Sequence, residues 1–320
     1  MTSSRHSLTL AHSGDPDDCF MWWPITGRIR PDGSRWPGEL GKPSIDTGRF
    51  SFEPIPGDIE QFNRRAIDHG DYDITALSVR AYAEASRRYL ITHCGSSFGE
   101  GYGPKLVRHE DNIEFATIEA LRDPSVTIAI PGRKTTAFMV LGLLLGRPSL
   151  KPEARFVELP FDRIIPAVAE KKVHAGLVIH EAQVSYEDVG LRRIEDLGAW
   201  WKSTRNLPLP LGINAIRRDF DARFGPGSQA EVVRILRASV DYALAHRREA
   251  LEYTVPFAEL NAKNSGTETP DLERIDHYVS LYVTRLTVDM GASGRDAIRK
   301  LLREGNAAGL CSDPGEIEVV

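Results

Sequence analysis

The sequence predicts a two-domain α/β fold with mixed sheets flanked by helices and a ligand cleft between the domains. Three observations carry this. Short apolar segments alternate with amphipathic stretches of helical spacing, which puts helices on the faces of parallel or mixed sheets. Polar or glycine-containing turns fall at the carboxyl ends of those apolar segments. The 320 residues are enough for two cores of ordinary size.

A strand over residues 7–12 opens the chain. The turn Ser13-Gly14-Asp15-Pro16-Asp17-Asp18 follows, then a short helix from 18 or 19 to 23 with an aspartate as its cap. Residues 26–49 hold five glycines and three prolines without periodicity, which predicts a long surface loop. It either flanks or covers the cleft mouth, with Trp36 as its apolar anchor, or is an insertion packed on the outer face. A strand over 49–55, a helix capped by Asp58 and ending near Gly70, and strands over 73–78 and 89–93 complete the first set.

The second set begins with a strand over 126–130 and a helix over 135–145. It continues with a strand over 155–159, a helix over 161–170 and a strand over 174–179. Strands over 191–196 and 209–216 lead back toward the first set. Helices over 230–246, 272–281 and 294–303 end the chain; Val233, Leu236, Val240 and Leu244 give the first of these its apolar stripe. This order assigns 1–118 with 215–320 to domain one and 119–214 to domain two. It is the layout of the type II periplasmic-binding-protein fold, in which ligands sit beyond the carboxyl ends of strands.

Composition removes several function classes. A net charge of -5, with Lys and Arg spread along the chain, offers no basic stripe for nucleic acid. The longest apolar run, residues 138–145, is too short to cross a bilayer, so no membrane partner is expected. Cys19, Cys94 and Cys311 match no metal-binding spacing, and their odd number argues against a disulfide framework. Together with an amino terminus that lacks a signal-peptide core, this predicts a cytoplasmic protein. The sequence leaves room for a homo-oligomer.

Five turns carry the polar chemistry: Ser13 to Asp18, Ser78 with Val79, the run from Cys94 to Pro104, the run from Pro131 to Thr136, and His180 with Glu181. Over parallel neighbouring strands they would converge on one cleft, where helix-opening N–H groups suit a small anionic ligand. The glycine-rich run is neither a dinucleotide fingerprint nor a phosphate-binding loop. Thr135 and Thr136 equally suit plain helix capping. His180, closing the apolar strand at 175–179, has the position and near-neutral pKa of a general base, although a lone histidine is more often a satisfied core residue. His174 lies roughly 20 Å from it at about 3.3 Å per residue, too far to share a metal; no metal site is predicted.

Several stretches together resemble one family. They are Ala11-His12-Ser13-Gly14-Asp15-Pro16-Asp17-Asp18, Leu77-Ser78, Gly99-Glu100-Gly101-Tyr102-Gly103-Pro104 and Ile130-Pro131-Gly132-Arg133-Lys134-Thr135-Thr136. Phe161-Asp162-Arg163-Ile164-Ile165-Pro166-Ala167-Val168, Ala175-Gly176-Leu177-Val178-Ile179-His180-Glu181, Asp196-Leu197-Gly198-Ala199-Trp200-Trp201 and Leu207-Pro208-Leu209-Pro210-Leu211-Gly212 follow in order. The set resembles the 1,4-dihydroxy-6-naphthoate synthase family of the futalosine route to menaquinone.

The resemblance implies a lyase without metal or organic cofactor that cleaves a carbon–carbon bond in cyclic dehypoxanthine futalosine. His180 would be the base and Ser78 and Thr136 the ligand contacts. Asp15, Asp17, Asp18, Ser97, Gly99, Gly101, Thr135 and Glu181 would line the site. Relatives carry Asn where this chain has Asp17, and the additional carboxylate is expected to repel an anionic ligand. Two other readings stay open: a solute receptor for a small carboxylate, and a paralogous enzyme acting on another aromatic acid.

Overall fold

The computed structural model describes residues 5–320. The chain runs β1 (His6–Ser13), α1 (Pro16–Thr26), β2 (Phe50–Gly57), α2 (Ile59–Asp68), β3 (Ile74–Ser78), α3 (Val79–Ala85), β4 (Tyr89–Ile91) and β5 (Ser97–Gly99). It then crosses into β6 (Lys105–His109), β7 (Ile128–Ile130), α4 (Thr136–Leu145), β8 (Phe156–Glu158), α5 (Phe161–Ala169), β9 (Ala175–Val178), β10 (Leu191–Asp196) and α6 (Leu197–Arg205). β11 (Leu209–Arg217) returns to the first sheet. The helices α7 (Phe220–Phe224), α8 (Ser228–Ala245), α9 (Arg247–Ser265), α10 (Leu272–Tyr282), α11 (Arg285–Val288) and α12 (Gly291–Ala307) follow.

The first sheet has the order β2-β1-β3-β11-β4, with β5 paired to β11; the second has the order β10-β6-β9-β7-β8. Parallel pairs join β2, β1 and β3 in one sheet and β8, β7 and β9 in the other. β11 and β6 run antiparallel to their neighbours. The chain therefore crosses between sheets at 100–104 and again at 197–208. β6, which was not legible as a strand, pairs with β10 and β9 in the second sheet, and β11 begins at Leu209 in the first.

Apolar burial explains the layers. One core packs α1, α8, α9 and α10 on the first sheet, with Trp22 and Trp23 of α1 among its largest fully buried side chains. A second runs between the sheets through α3, α4 and α12. A third lies under α5 on the second sheet. Local capping sets the helix starts. Asp58 accepts from Glu60 N–H at 2.8 Å, Thr135 from Phe138 N–H at 3.2 Å, and Asp196 from Gly198 and Ala199 N–H at 2.9 and 3.0 Å. Gly198 has a packing reason as well, since a Cβ there would lie 1.8 Å from the Tyr102 carbonyl oxygen.

The loop at 26–49 puts no residue into the cavity between the sheets, although its Pro31 borders a smaller one with Gly14, Pro56 and Phe161. The loop lies along the outer edge strand β2, where Arg35 donates to the Phe52 carbonyl at 3.0 Å and pairs with Glu53 at 2.9 Å. Covering an edge strand in this way blocks edge-to-edge pairing. Trp36 sits beside the Arg30 guanidinium, 5.4 Å from its ring centroid, and lines no cavity. The helix α1 begins two residues earlier than read, at Pro16, a residue pre-set for the first helical position.

Candidate active site

The carboxyl ends of β1, β3, β7 and β9 converge on one cavity between the sheets. Asp15, Asp17, Asp18, Ser78, Ser97, Thr135, Thr136 and His180 all line it. Gly99, Gly101 and Glu181 do not. Gly99 lies in β5, antiparallel to β11 and paired with Leu209, so that stretch of the glycine-rich run turns away from the cleft. Its neighbours Gly95, Ser97 and Pro104 reach the cavity instead. Glu181 faces a second, smaller cavity between the segment after β9 and helices α9 and α10.

The conformation of His180 explains the divergence of adjacent residues. β9 ends at Val178, and His180 has φ 56°, a left-handed backbone sparsely occupied by residues with a side chain. That turn brings the imidazole across the cleft, where Nδ1 pairs with the Asp15 carboxylate. The Phe161 ring meets it edge-on, with centroids 4.6 Å apart. Nε2 is buried, has no partner, and belongs to a side chain that lines the cavity. Asp15, not Glu181, is thus the orienting group.

Electrostatics at this end depart from the near-neutral histidine expected. Burial disfavours the imidazolium, but the adjacent Asp15 charge and hydrogen bond outweigh it and raise His180 to about 9. Burial likewise opposes ionisation of Asp15; His180, with Ser13 donating from Oγ, holds that carboxyl at about 2. Asp17 behaves oppositely. Burial, then the charges of Asp15 and Asp18, push it well above the usual carboxylate range, and Tyr278 OH contacts it at 3.3 Å. Asp18 is raised to about 7 by burial and Asp15, and accepts from Ser13 N–H at 2.7 Å. Burial and the neighbouring carboxylates thus favour the protonated form of Asp17, which works against the repulsion expected from its charge.

The opposite wall is neutral. Asn63 on α2 donates from Nδ2 to Ser78 Oγ at 3.0 Å and accepts from Ser78 N–H at 2.8 Å. This leaves the Ser78 O–H free to donate into the cavity. Thr136 differs: its hydroxyl donates to the Leu211 carbonyl at 2.7 Å and accepts from Arg80 N–H at 3.2 Å. Its one proton is spent on the fold, contrary to the ligand-donor role expected for it. Thr135 is spent too, donating to the Gly132 carbonyl at 2.8 Å and capping α4.

Sequence reasoning missed Asn63, Gln183, Asn214, Tyr278 and Tyr282. Tyr282 OH donates to Gln183 Oε1 at 2.7 Å, and both residues line the cavity. The signals were present. Asn214 interrupts an apolar strand, Tyr278 and Tyr282 share a helix face at i,i+4, and Asn63 sits on the buried side of α2. Among the described residues no three His, Cys, Asp or Glu side chains group as a metal site, and no helix is long and apolar enough to cross a membrane.

Two sheets with an enclosed cleft between them define an α/β protein of the periplasmic-binding-protein type. The alkanesulfonate-binding protein of Xanthomonas axonopodis pv. citri shares this fold at a TM-score of 0.63 and 12% identity, over 99% of this chain and 98% of that one. The chain belongs to the menaquinone biosynthesis family, which matches residues 8–307. It is 38% identical to a 1,4-dihydroxy-6-naphthoate synthase of Thermus thermophilus, over 96% of each chain. A synthase of the same name from Streptomyces coelicolor is 29% identical over 96% of this chain and 95% of that one. A crystal structure from Archaeoglobus fulgidus superposes with a TM-score of 0.74 at 36% identity, over 95% of this chain and 98% of that one.

Proposed function

We propose that this chain is a 1,4-dihydroxy-6-naphthoate synthase: a carbon–carbon lyase that takes cyclic dehypoxanthine futalosine into the cleft and releases the naphthoate. Full-length similarity to two synthases of that name supports the reaction. The observation that carries the mechanism is the His180–Asp15 pair, whose outer nitrogen has no protein partner beside the cavity.

In this reading neutral His180 accepts a substrate proton at Nε2. Asp15 holds the proton on Nδ1 toward itself, which fixes the tautomer that leaves Nε2 free, and it stabilises the imidazolium once formed. Loss of the substrate proton, followed by carbon–carbon cleavage, leaves an aromatic ring system in the product. With a pKa near 9, the competent base grows in population as pH rises. Ser78 supplies a hydrogen bond to a substrate oxygen, and the amino end of α4 offers first-turn N–H groups without intrahelical partners.

The test is incubation of the purified protein with cyclic dehypoxanthine futalosine, with mass spectrometry for 1,4-dihydroxy-6-naphthoate. Catalytic turnover is expected. Binding without turnover, under conditions where an authentic synthase works, would point to a receptor and reject the proposal.

A further inference from the structure

Among the described residues, only two side chains lining the main cavity carry a buried polar atom without a partner: His180 at Nε2 and Asn214 at Oδ1. The first belongs to the proton-transfer group. The second has no part in the proton transfer.

Asn214 sits on β11, opposite Ala76 of β3, and is 1% exposed. Its amide orientation is fixed by its partner. Nδ2 donates to the Gly95 carbonyl at 2.7 Å, and a carbonyl can only accept, so the reverse orientation would set two acceptors against each other. Oδ1 is therefore held as an acceptor on the first-sheet wall. A buried acceptor left unpaired is unfavourable, and the favourable complement is a donor carried in by the ligand. A carboxylate oxygen has no proton to give and would be repelled there; a hydroxyl fits.

We propose that Asn214 is a specificity-determining residue whose side-chain carbonyl accepts a hydrogen bond from a hydroxyl of the bound substrate or product. This rests on the functional reading above and deepens it. The carboxylate of the ligand then lies away from β11, and a site built around a hydroxyl rejects the analogue that lacks it.

Calorimetric titration of the native protein and of Asn214→Ala with 1,4-dihydroxy-6-naphthoate and with 2-naphthoate tests this. The second acid keeps the ring and the carboxylate but has no hydroxyl. The native protein is expected to favour the dihydroxy acid by at least about tenfold, and Asn214→Ala to lose most of that preference while still binding 2-naphthoate. If Asn214→Ala does not fold, the two monohydroxy naphthoates replace it: in the native protein, loss of one particular hydroxyl should account for most of the preference. Equal binding of dihydroxy acid and 2-naphthoate by the native protein would overturn the inference. So would a preference that survives in Asn214→Ala, or one shared evenly between the two hydroxyls. Failure of the native protein to bind either acid would overturn the functional reading as well, which separates the two.

Discussion

His180 and Asp15 reach each other from different sheets: the histidine leaves β9 in the second, the aspartate leaves β1 in the first, and they pair across the cleft. The pair is thus assembled by the approach of the two sheets, not by either alone. Other pairs bridge the same gap, including Arg64 with Glu158 at 2.6 Å and Lys134 with Glu84 at 2.7 Å. Opening the cleft would release His180 from Asp15 and let its pKa fall toward the ordinary value.

The pH dependence should carry the mark of this pairing. The base must lose a proton before it can act, and its folded pKa is raised to about 9. The ascending limb of kcat/KM in the native protein should therefore have its midpoint near pH 9. Asp15→Asn removes the charge that raises it most and leaves burial, which acts downward, against the lesser upward pull of Glu181 and Asp58. The midpoint should then move to lower pH, with a plateau lowered by at least about 10²-fold through loss of the oriented tautomer. A limb that stays in place would show that Asp15 does not govern His180.

Ser78 and Thr136 should separate binding from folding. Ser78→Ala removes a free donor and should weaken product binding by about 1–3 kcal/mol in a titration; it also removes the acceptor of Asn63 Nδ2, whose remaining acceptors at 3.4 Å, Glu60 and the Lys134 carbonyl, limit the accompanying loss of stability. Thr136→Val strands the Leu211 carbonyl and Arg80 N–H instead, so it should cost about 1–3 kcal/mol of stability in chemical denaturation. If the two variants exchanged these effects, the assignment of their hydroxyl protons would be wrong.

Gly95 has φ +80°, and a Cβ there would lie 2.7 Å from the Trp22 ring and 2.8 Å from Asn214 Nδ2. Gly95→Ala should therefore destabilise the protein by about 1–3 kcal/mol through overpacking, and displace the Asn214 amide. Denaturant unfolding measures the first effect; a weakened preference for hydroxylated naphthoates reports the second. Native stability in this variant would mean that the loop has room the structure does not show.

Much of this site was legible because it hangs on strand ends. Ser13 to Asp18, Ser78, Thr135 and His180 follow apolar runs whose period and length mark them as strands, and parallel pairing sends their ends to one side. What was not legible depends on distant partners. Gly99 and Gly101 looked like the middle of a turn, but Gly99 pairs with Leu209 of β11, more than a hundred residues later, and only Ser97 of β5 reaches the cavity. The charge of Asp17 could not be read from its name, because three aspartates and one histidine share the proton balance in the folded state alone. Pro256, inside α9, hid a helix that walls the second cavity where Glu181 lies. The acceptor of the Thr136 proton, Leu211, lies on another strand and could not be read from the local sequence.

The role of His180 is the centre of this account, and His180→Asn tests it most directly. Asparagine tolerates the left-handed backbone at this position better than most residues, so the fold should be kept. Turnover of cyclic dehypoxanthine futalosine and affinity for 1,4-dihydroxy-6-naphthoate should be measured on the same preparation. In this variant kcat should fall by about 10²–10⁴-fold while product affinity changes little. A kcat close to that of the native protein, in a variant that folds and binds normally, would contradict it.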